Sequence, residues 1–445
     1  MTPTAANQPI AFSIGHRTVL ALAIPMMITH LSTPLVGLVA TAVIGRLGDS
    51  ALIAGVALAS VIFDVVFVSC NFLRFATTGF TAQAVGANDR RGEYQDLSGA
   101  ICLALAMGVM LVASQALILA GGMAALSVDE ALRPVVREYF FWRIWSAPFV
   151  LFNYVLFGWL LGRGSVLMAL ALQTFLNGVC IGLSIYLVLY LDLGVAGAAM
   201  ASLFAEFATF AVGLLVMART IDREAWKQRN IQSGWNWRRL LRVNLDLMVR
   251  SIALLVGVSL FTRQSATLGV DILAANTILL RLYFVSVAIL DGFATAAEQL
   301  AGRAVGARYR PAFDFAIRAT TRWGLGFAVA LCLGLLFAGP VLIDMMAPTA
   351  AVRDIADRFL PWAAILPVAA VTAFQLDGVF VGATWSREMR NMMLLSLAVF
   401  VAAFTILQPP FGNHGLWIAM VIFQLARCAG FGLLLPRLAA RTFPR

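Results

Sequence analysis

Leu47-Gly48-Asp49-Ser50-Ala51-Leu52-Ile53-Ala54-Gly55-Val56-Ala57-Leu58 returns about 220 positions later as Leu268-Gly269-Val270-Asp271-Ile272-Leu273-Ala274-Ala275-Asn276-Thr277-Ile278-Leu279. Two further matches keep nearly the same shift. Phe75-Ala76-Thr77 leading to Ala84-Val85-Gly86-Ala87 becomes Phe293-Ala294-Thr295 leading to Ala304-Val305-Gly306-Ala307, and Pro148, Gly158 and Gly162 become Pro367, Gly378 and Gly382. Each match alone is weak, but three in one order define an internal repeat. The repeat is set in strongly apolar sequence. Uncharged runs from Thr18 to Gly45, Leu97 to Val128, Gly164 to Leu191, Trp323 to Ile343 and Asn391 to Ala426 each exceed the ~18 residues that mark a membrane-spanning helix.

Composition points the same way. Of 445 residues, 61% are apolar and 12% charged, against roughly 25% charged in soluble domains. A soluble protein is excluded, and little chain is left for an extramembrane domain. A net charge of +10 would suggest nucleic acid in a soluble chain. In a membrane protein it collects in cytoplasmic loops facing anionic lipid, so no nucleic-acid partner is expected. The five cysteines lie in apolar stretches without metal or redox spacing, so no metal site is expected. Met1 to Gly15 has no charged segment leading into an apolar run with a cleavage site, and the first span is expected to serve as the insertion signal.

Apolar runs punctuated by Gly, Pro and charge predict an all-α integral membrane protein with twelve transmembrane helices near 18–44, 51–75, 97–121, 138–161, 165–190, 194–218, 245–268, 271–299, 315–339, 358–384, 390–409 and 415–435. Alternate connections separate by charge. One side carries Arg17, Arg90, Arg91, Arg163, the basic stretch from Arg219 to Arg242, the cluster from Arg303 to Arg322, Arg387, Arg390, Arg437, Arg441 and Arg445; the other carries Arg46, Arg133, Arg137, Arg353 and Arg358. The positive-inside bias then puts both termini and residues 219–244 in the cytoplasm. Six helices separate the repeat copies, so both halves share one orientation. Residues 1–218 and 245–445 are expected to form two parallel six-helix lobes related by a pseudo-two-fold axis along the membrane normal, joined by a basic 219–244 linker. Such lobes suit alternating access around a midplane site.

Ionisable groups within spans are the natural candidates for coupling, since each costs ~2.5–3.5 kcal/mol at the bilayer centre unless paired, hydrated or neutral. Asp64 and Glu206 lie near the middle of the second and sixth helices, Asp291 and Glu298 two turns apart on the eighth, and Asp377 on the tenth beside Gly378. Each could equally be a structural carboxylate bonded within its bundle. Arg281 is a potential partner of Asp291. Asp246 and Arg250, spaced i,i+4, read as a local ion pair. Arg74, Arg143, Arg263 and Arg427 read as chains that snorkel from helix ends. His30 stands between Pro25 and Pro34 on the first helix, where missing backbone donors should bend the helix and free carbonyls to line a cavity. Asn71, Asn153, Asn177 and Gln375 join Pro25 and Pro34 as candidate cavity-lining residues.

Six stretches stand out together: Ala23-Ile24-Pro25-Met26, Gly37 to Gly45, Phe72-Leu73-Arg74 with Thr77-Thr78-Gly79 and Ala82-Gln83-Ala84, Gly158-Trp159-Leu160-Leu161-Gly162, Leu290-Asp291-Gly292-Phe293-Ala294, and Asp377-Gly378 to Arg387-Glu388-Met389-Arg390-Asn391. In these the chain resembles the multidrug and toxic compound extrusion (MATE) transporters, in their DinF-like branch. The resemblance implies two six-helix bundles and efflux of amphipathic, often cationic compounds, driven by inward proton or sodium flow. Two departures matter. Relatives usually read Val-Asp-Thr where this chain has Val39-Ala40-Thr41, and an Asn-x-x-Asn-x-x-x-Asp pattern where it offers Thr174, Asn177 and Ile181. The usual coupling carboxylates of the amino-terminal lobe are absent. Protonatable function is therefore expected to have moved to Asp64, with His30, while Glu206, Asp291 and Asp377 keep family-like roles.

The reading is a secondary active efflux transporter, not an enzyme, in the bacterial inner membrane. It is expected to be a monomer without cofactor, exchanging protons (sodium being the alternative) for a small amphipathic substrate in contact with membrane lipid. A lipid or polyprenyl-glycan flippase of the same superfamily is the rival; it needs a cationic cavity. Intramembrane enzymes would need paired Asp-rich magnesium sites or His-Glu-x-x-His, and neither pattern occurs.

Overall fold

The computed structural model describes residues 9–46, 50–227, 237–347 and 349–444, apart from the side chains of residues 33–35, 38, 41, 50 and 237. Pro34 as a cavity-lining candidate, the Leu47–Asp49 start of the repeat and the centre of the basic linker thus lie outside the described residues. Among the described residues sixteen α-helices follow one another: α1 (His16–Gly45), α2 (Ser50–Cys70), α3 (Phe72–Gly86), α4 (Arg90–Ala113), α5 (Gln115–Ala125), α6 (Arg133–Arg143), α7 (Ala147–Gly162), α8 (Val166–Ile185), α9 (Gly194–Thr220), α10 (Arg223–Lys227), α11 (Trp237–Thr267), α12 (Val270–Gly306), α13 (Arg310–Met346), α14 (Ala350–Gly382), α15 (Ser386–Phe411) and α16 (Asn413–Thr442). There is no strand among the described residues.

Among the described residues eleven stretches are long and apolar enough to cross a membrane. The first helix, uncharged from Thr18 to Gly45 and 30 residues long, makes a twelfth by length. Several spans are compound. The second is α2 and α3, interrupted at Asn71. The third breaks at Ser114, whose Oγ turns back to the Met110 carbonyl at 2.7 Å. The fourth runs from α6 through a 3₁₀ turn at Ile144–Ser146 into α7, where Pro148 occupies the first turn and needs no backbone donor.

The internal repeat is written into the backbone. Left-handed residues occur at Asn88 and Arg308, Gly164 and Thr384, and Asp192 and Gly412, each pair 220 residues apart. Helix contacts repeat too: the fourth span packs on the second, third and sixth, as α14 packs on α12, α13 and α16. A side chain at Gly158 would strike the Arg74 carbonyl, and one at Gly378 the Ala294 carbonyl, so both fourth-type spans approach their neighbour backbone to backbone.

By contact the chain divides into two compact units. One is Met1–Met27 with Ala82–Asn88 and Leu245–Arg445; the other is Ile28–Thr81 with Asp89–Asn244. The cuts fall inside α1, between Pro25 and Pro34, inside α3, between α3 and α4, and inside α11. The end of α3 joins the first unit through a reciprocal seam: a Cβ on Gly86 would meet the Arg303 carbonyl, and one on Gly306 the Gln83 carbonyl. Gln83 also donates to the Gly382 carbonyl at 2.8 Å. Residues before α1 lie on the same unit, with Ile10 N donating to the Ala307 carbonyl at 3.0 Å and Arg303 over the Phe12 ring.

Candidate functional site

In the unit containing α2 and α9, polar groups converge within the span region. Glu206, midway along α9, is half-buried and accepts a 2.8 Å hydrogen bond at Oε2 from Asn153 Nδ2 of α7; the same amide lies 3.1 Å from the Glu206 carbonyl. Asn153 is 1% exposed, and its Oδ1 has no hydrogen-bond partner. Tyr154 beside it lies within electrostatic reach of Glu206, Cys70, Arg74 and Arg143. Arg143 ends α6, which packs on both α2 and α9. Its guanidinium is 5.8 Å from the Phe67 ring centre, one turn beyond Asp64. Asp64 itself is exposed.

Asn71 does not continue the Asp64 face as a regular helix would place it. It sits at the α2–α3 break, where its Oδ1 accepts from Arg74 Nε at 3.2 Å. Asn177 of α8 is buried, donating to Ser32 Oγ at 2.9 Å and accepting from Gln173 Nε2 at 3.0 Å. The one polar group kept from the family's fifth-helix pattern is thus tied to α1. His30 is half-buried on α1, close in sequence to Ser32.

The other unit gathers charge differently. Asp377 of α14, 4% exposed, accepts at Oδ2 from Arg250 of α11 at 2.7 Å and also from Arg427 of α16. Arg427 is fully buried between the rings of Phe374 and Phe423, and its NH1 donates to Gln424 Oε1 at 2.7 Å, while Gln424 in turn donates to the Tyr283 hydroxyl at 2.9 Å. On α12, Asp291 is half-buried and Glu298 buried, and Pro25 is buried on α1. Gln375 is fully buried beside Gly324 of α13, with neither side-chain polar atom hydrogen-bonded.

Two expectations are corrected. Asp246 and Arg250 are not a local pair: Asp246 is bound by Arg390 NH1 at 2.6 Å and Ser386 Oγ at 2.9 Å, and Arg250 turns to Asp377. One turn of helix brings two residues near each other but does not outweigh better-placed neighbours on α14 and α15. Arg427 does not snorkel. It stands midway along a 30-residue helix, too far from either end, so burial against a carboxylate replaces escape to water. The sequence reading also missed Arg143, Tyr154 and Ser32 as members of the polar groups. Among the described residues no three His, Cys, Asp or Glu side chains could hold a metal ion.

A twice-repeated set of membrane-spanning helices, with carboxylates held inside by asparagine and arginine, defines a membrane transporter. The MatE family model matches residues 25–188 and again residues 248–407. The chain belongs to this family, the MATE transporters, and is not an enzyme. Over 409 residues it is 37% identical to DNA damage-inducible protein F of Escherichia coli, covering 91% of this chain and 89% of that one. It is 25% identical to the probable multidrug resistance protein NorM of Halalkalibacterium halodurans, covering 92% and 91%. Its fold matches an outward-facing multidrug resistance MATE transporter of the MOP superfamily with a TM-score of 0.85 at 20% identity, and a MOP superfamily transporter from Pyrococcus furiosus with a TM-score of 0.86 at 19%, each over 96% of both chains.

Proposed function

We propose that the chain exports small amphipathic compounds across the bacterial inner membrane by proton antiport and alternating access. The observation that carries this reading is the α2–α6–α7–α9 cluster. Asp64 and Glu206 are membrane-level carboxylates, and among the described residues no arginine bonds directly to either. Such groups are the ones open to proton exchange, whereas Asp377 is gripped by two guanidiniums. Asp64 and Glu206 therefore replace the family carboxylates missing at Ala40 and Ile181, and Asp377 acts as a structural anchor. The name of the Halalkalibacterium relative, a probable multidrug resistance protein, supports efflux. The flippase reading needs arginines available to a pyrophosphate, and Arg250 and Arg427 are engaged by Asp377 instead.

The test is export of a fluorescent lipophilic cation from everted vesicles under an imposed pH gradient. Asp64→Asn and Glu206→Gln should each lower proton-driven export about tenfold, the size of an ordinary coupling free energy. Undiminished export by both variants would remove these carboxylates from the mechanism.

A further inference from the structure

Resting on that proton-antiport reading, we infer that Arg143 is a countercharge shared by Asp64 and Glu206, pairing with whichever is ionised and so making each proton site sense the other. Position is the first argument. α6 packs against α2, which carries Asp64, and against α9, which carries Glu206, and its last residue, Arg143, lies over Phe67, one turn beyond Asp64. The second is that the guanidinium is uncommitted. Among the described residues it bonds neither carboxylate; it lies over the Phe67 ring and acts electrostatically on both acids and on Tyr154.

The other charged or titratable groups around the cluster do not compete for that role. Arg74 is bonded to Asn71 through Nε and stacks over Phe75 at 4.3 Å, its buried NH1 is unbonded, and it is not among the charges acting on Asp64 or Glu206; Tyr154 and Cys70 carry no positive charge. One cation in a low-dielectric setting cannot satisfy two separated carboxylates equally. A proton arriving at exposed Asp64 releases Arg143 toward Glu206. A proton on Glu206, still held by Asn153, returns the guanidinium to Asp64. The 3₁₀ turn after Arg143 links its position to Asn153 through one short stretch of chain.

The experiment uses the full chain in proteoliposomes and reads both proton-driven export and the pH profile of substrate-induced proton release. Arg143→Lys keeps a cation and should retain export within about threefold, although its compact ammonium bonds differently. Arg143→Gln should lose about tenfold or more and show a displaced pH profile, a readout that a merely structural role would not move. In the wild-type background the effects of D64N and E206Q on the profile should be non-additive; with R143Q added they should become independent. Should R143Q fail to fold, retention by Arg143→Lys against loss by Arg143→Met supplies the same contrast. An unchanged profile in folded R143Q, or non-additivity that survives it, overturns the shared-cation inference while leaving antiport standing. Undiminished export by both D64N and E206Q overturns both.

Discussion

At the residue scale, two acids of similar sequence setting meet opposite fates. Glu206 and Asp377 both interrupt apolar helices, yet one is held by an amide and the other by two guanidiniums. The difference has a measurable consequence. Asp377→Asn leaves Arg427 buried without its carboxylate and is expected to cost about 3–5 kcal/mol, seen as a lower thermal unfolding midpoint in detergent. Glu206→Gln keeps a hydrogen-bonding partner for Asn153 and should leave that midpoint within about 1 kcal/mol of the wild type while reducing transport. That these residues needed partners was legible from their place in apolar runs. Which partners they chose was not, because Arg427 and Asp377 are brought together by packing across 50 positions of chain. The mid-helix position of Arg427 was the available signal, and reading it as a helix end missed it.

At the element scale, helices approach one another where glycine leaves the backbone bare. The Gly86–Gly306 seam is reciprocal, each glycine facing the carbonyl three residues before the other. Gly306→Val is expected to force α3 and α12 apart at a cost of about 1–3 kcal/mol, measurable as a lower unfolding midpoint, because a backbone carbonyl cannot swing away as a side chain would. The repeat at Ala84–Ala87 and Ala304–Ala307 was visible in the sequence. That its two copies pack on each other was not, since similarity records shared structure and says nothing of mutual contact. Helix breaks at Asn71 and Ser114 were also hidden, each lying in otherwise continuous apolar sequence.

At the scale of the whole molecule, span number and repeat were the most legible features. Uncharged length is a one-dimensional property that the bilayer enforces residue by residue. The paired left-handed turns, 220 residues apart, carry the same repeat into three dimensions. The bias of arginine toward alternate connections gives the orientation its own test: a fluorescent protein fused after Arg445 should fluoresce in the cytoplasm, and alkaline phosphatase at the same point should stay inactive. Active phosphatase there would invert the proposed topology. For transport itself, the decisive observation is proton release when substrate is added to the purified protein, compared between wild type and Asp64→Asn/Glu206→Gln over several sodium concentrations. Release from the wild type at every sodium concentration, absent in the double variant, is expected; equal release from both, or release that requires sodium, would contradict proton coupling through these two carboxylates.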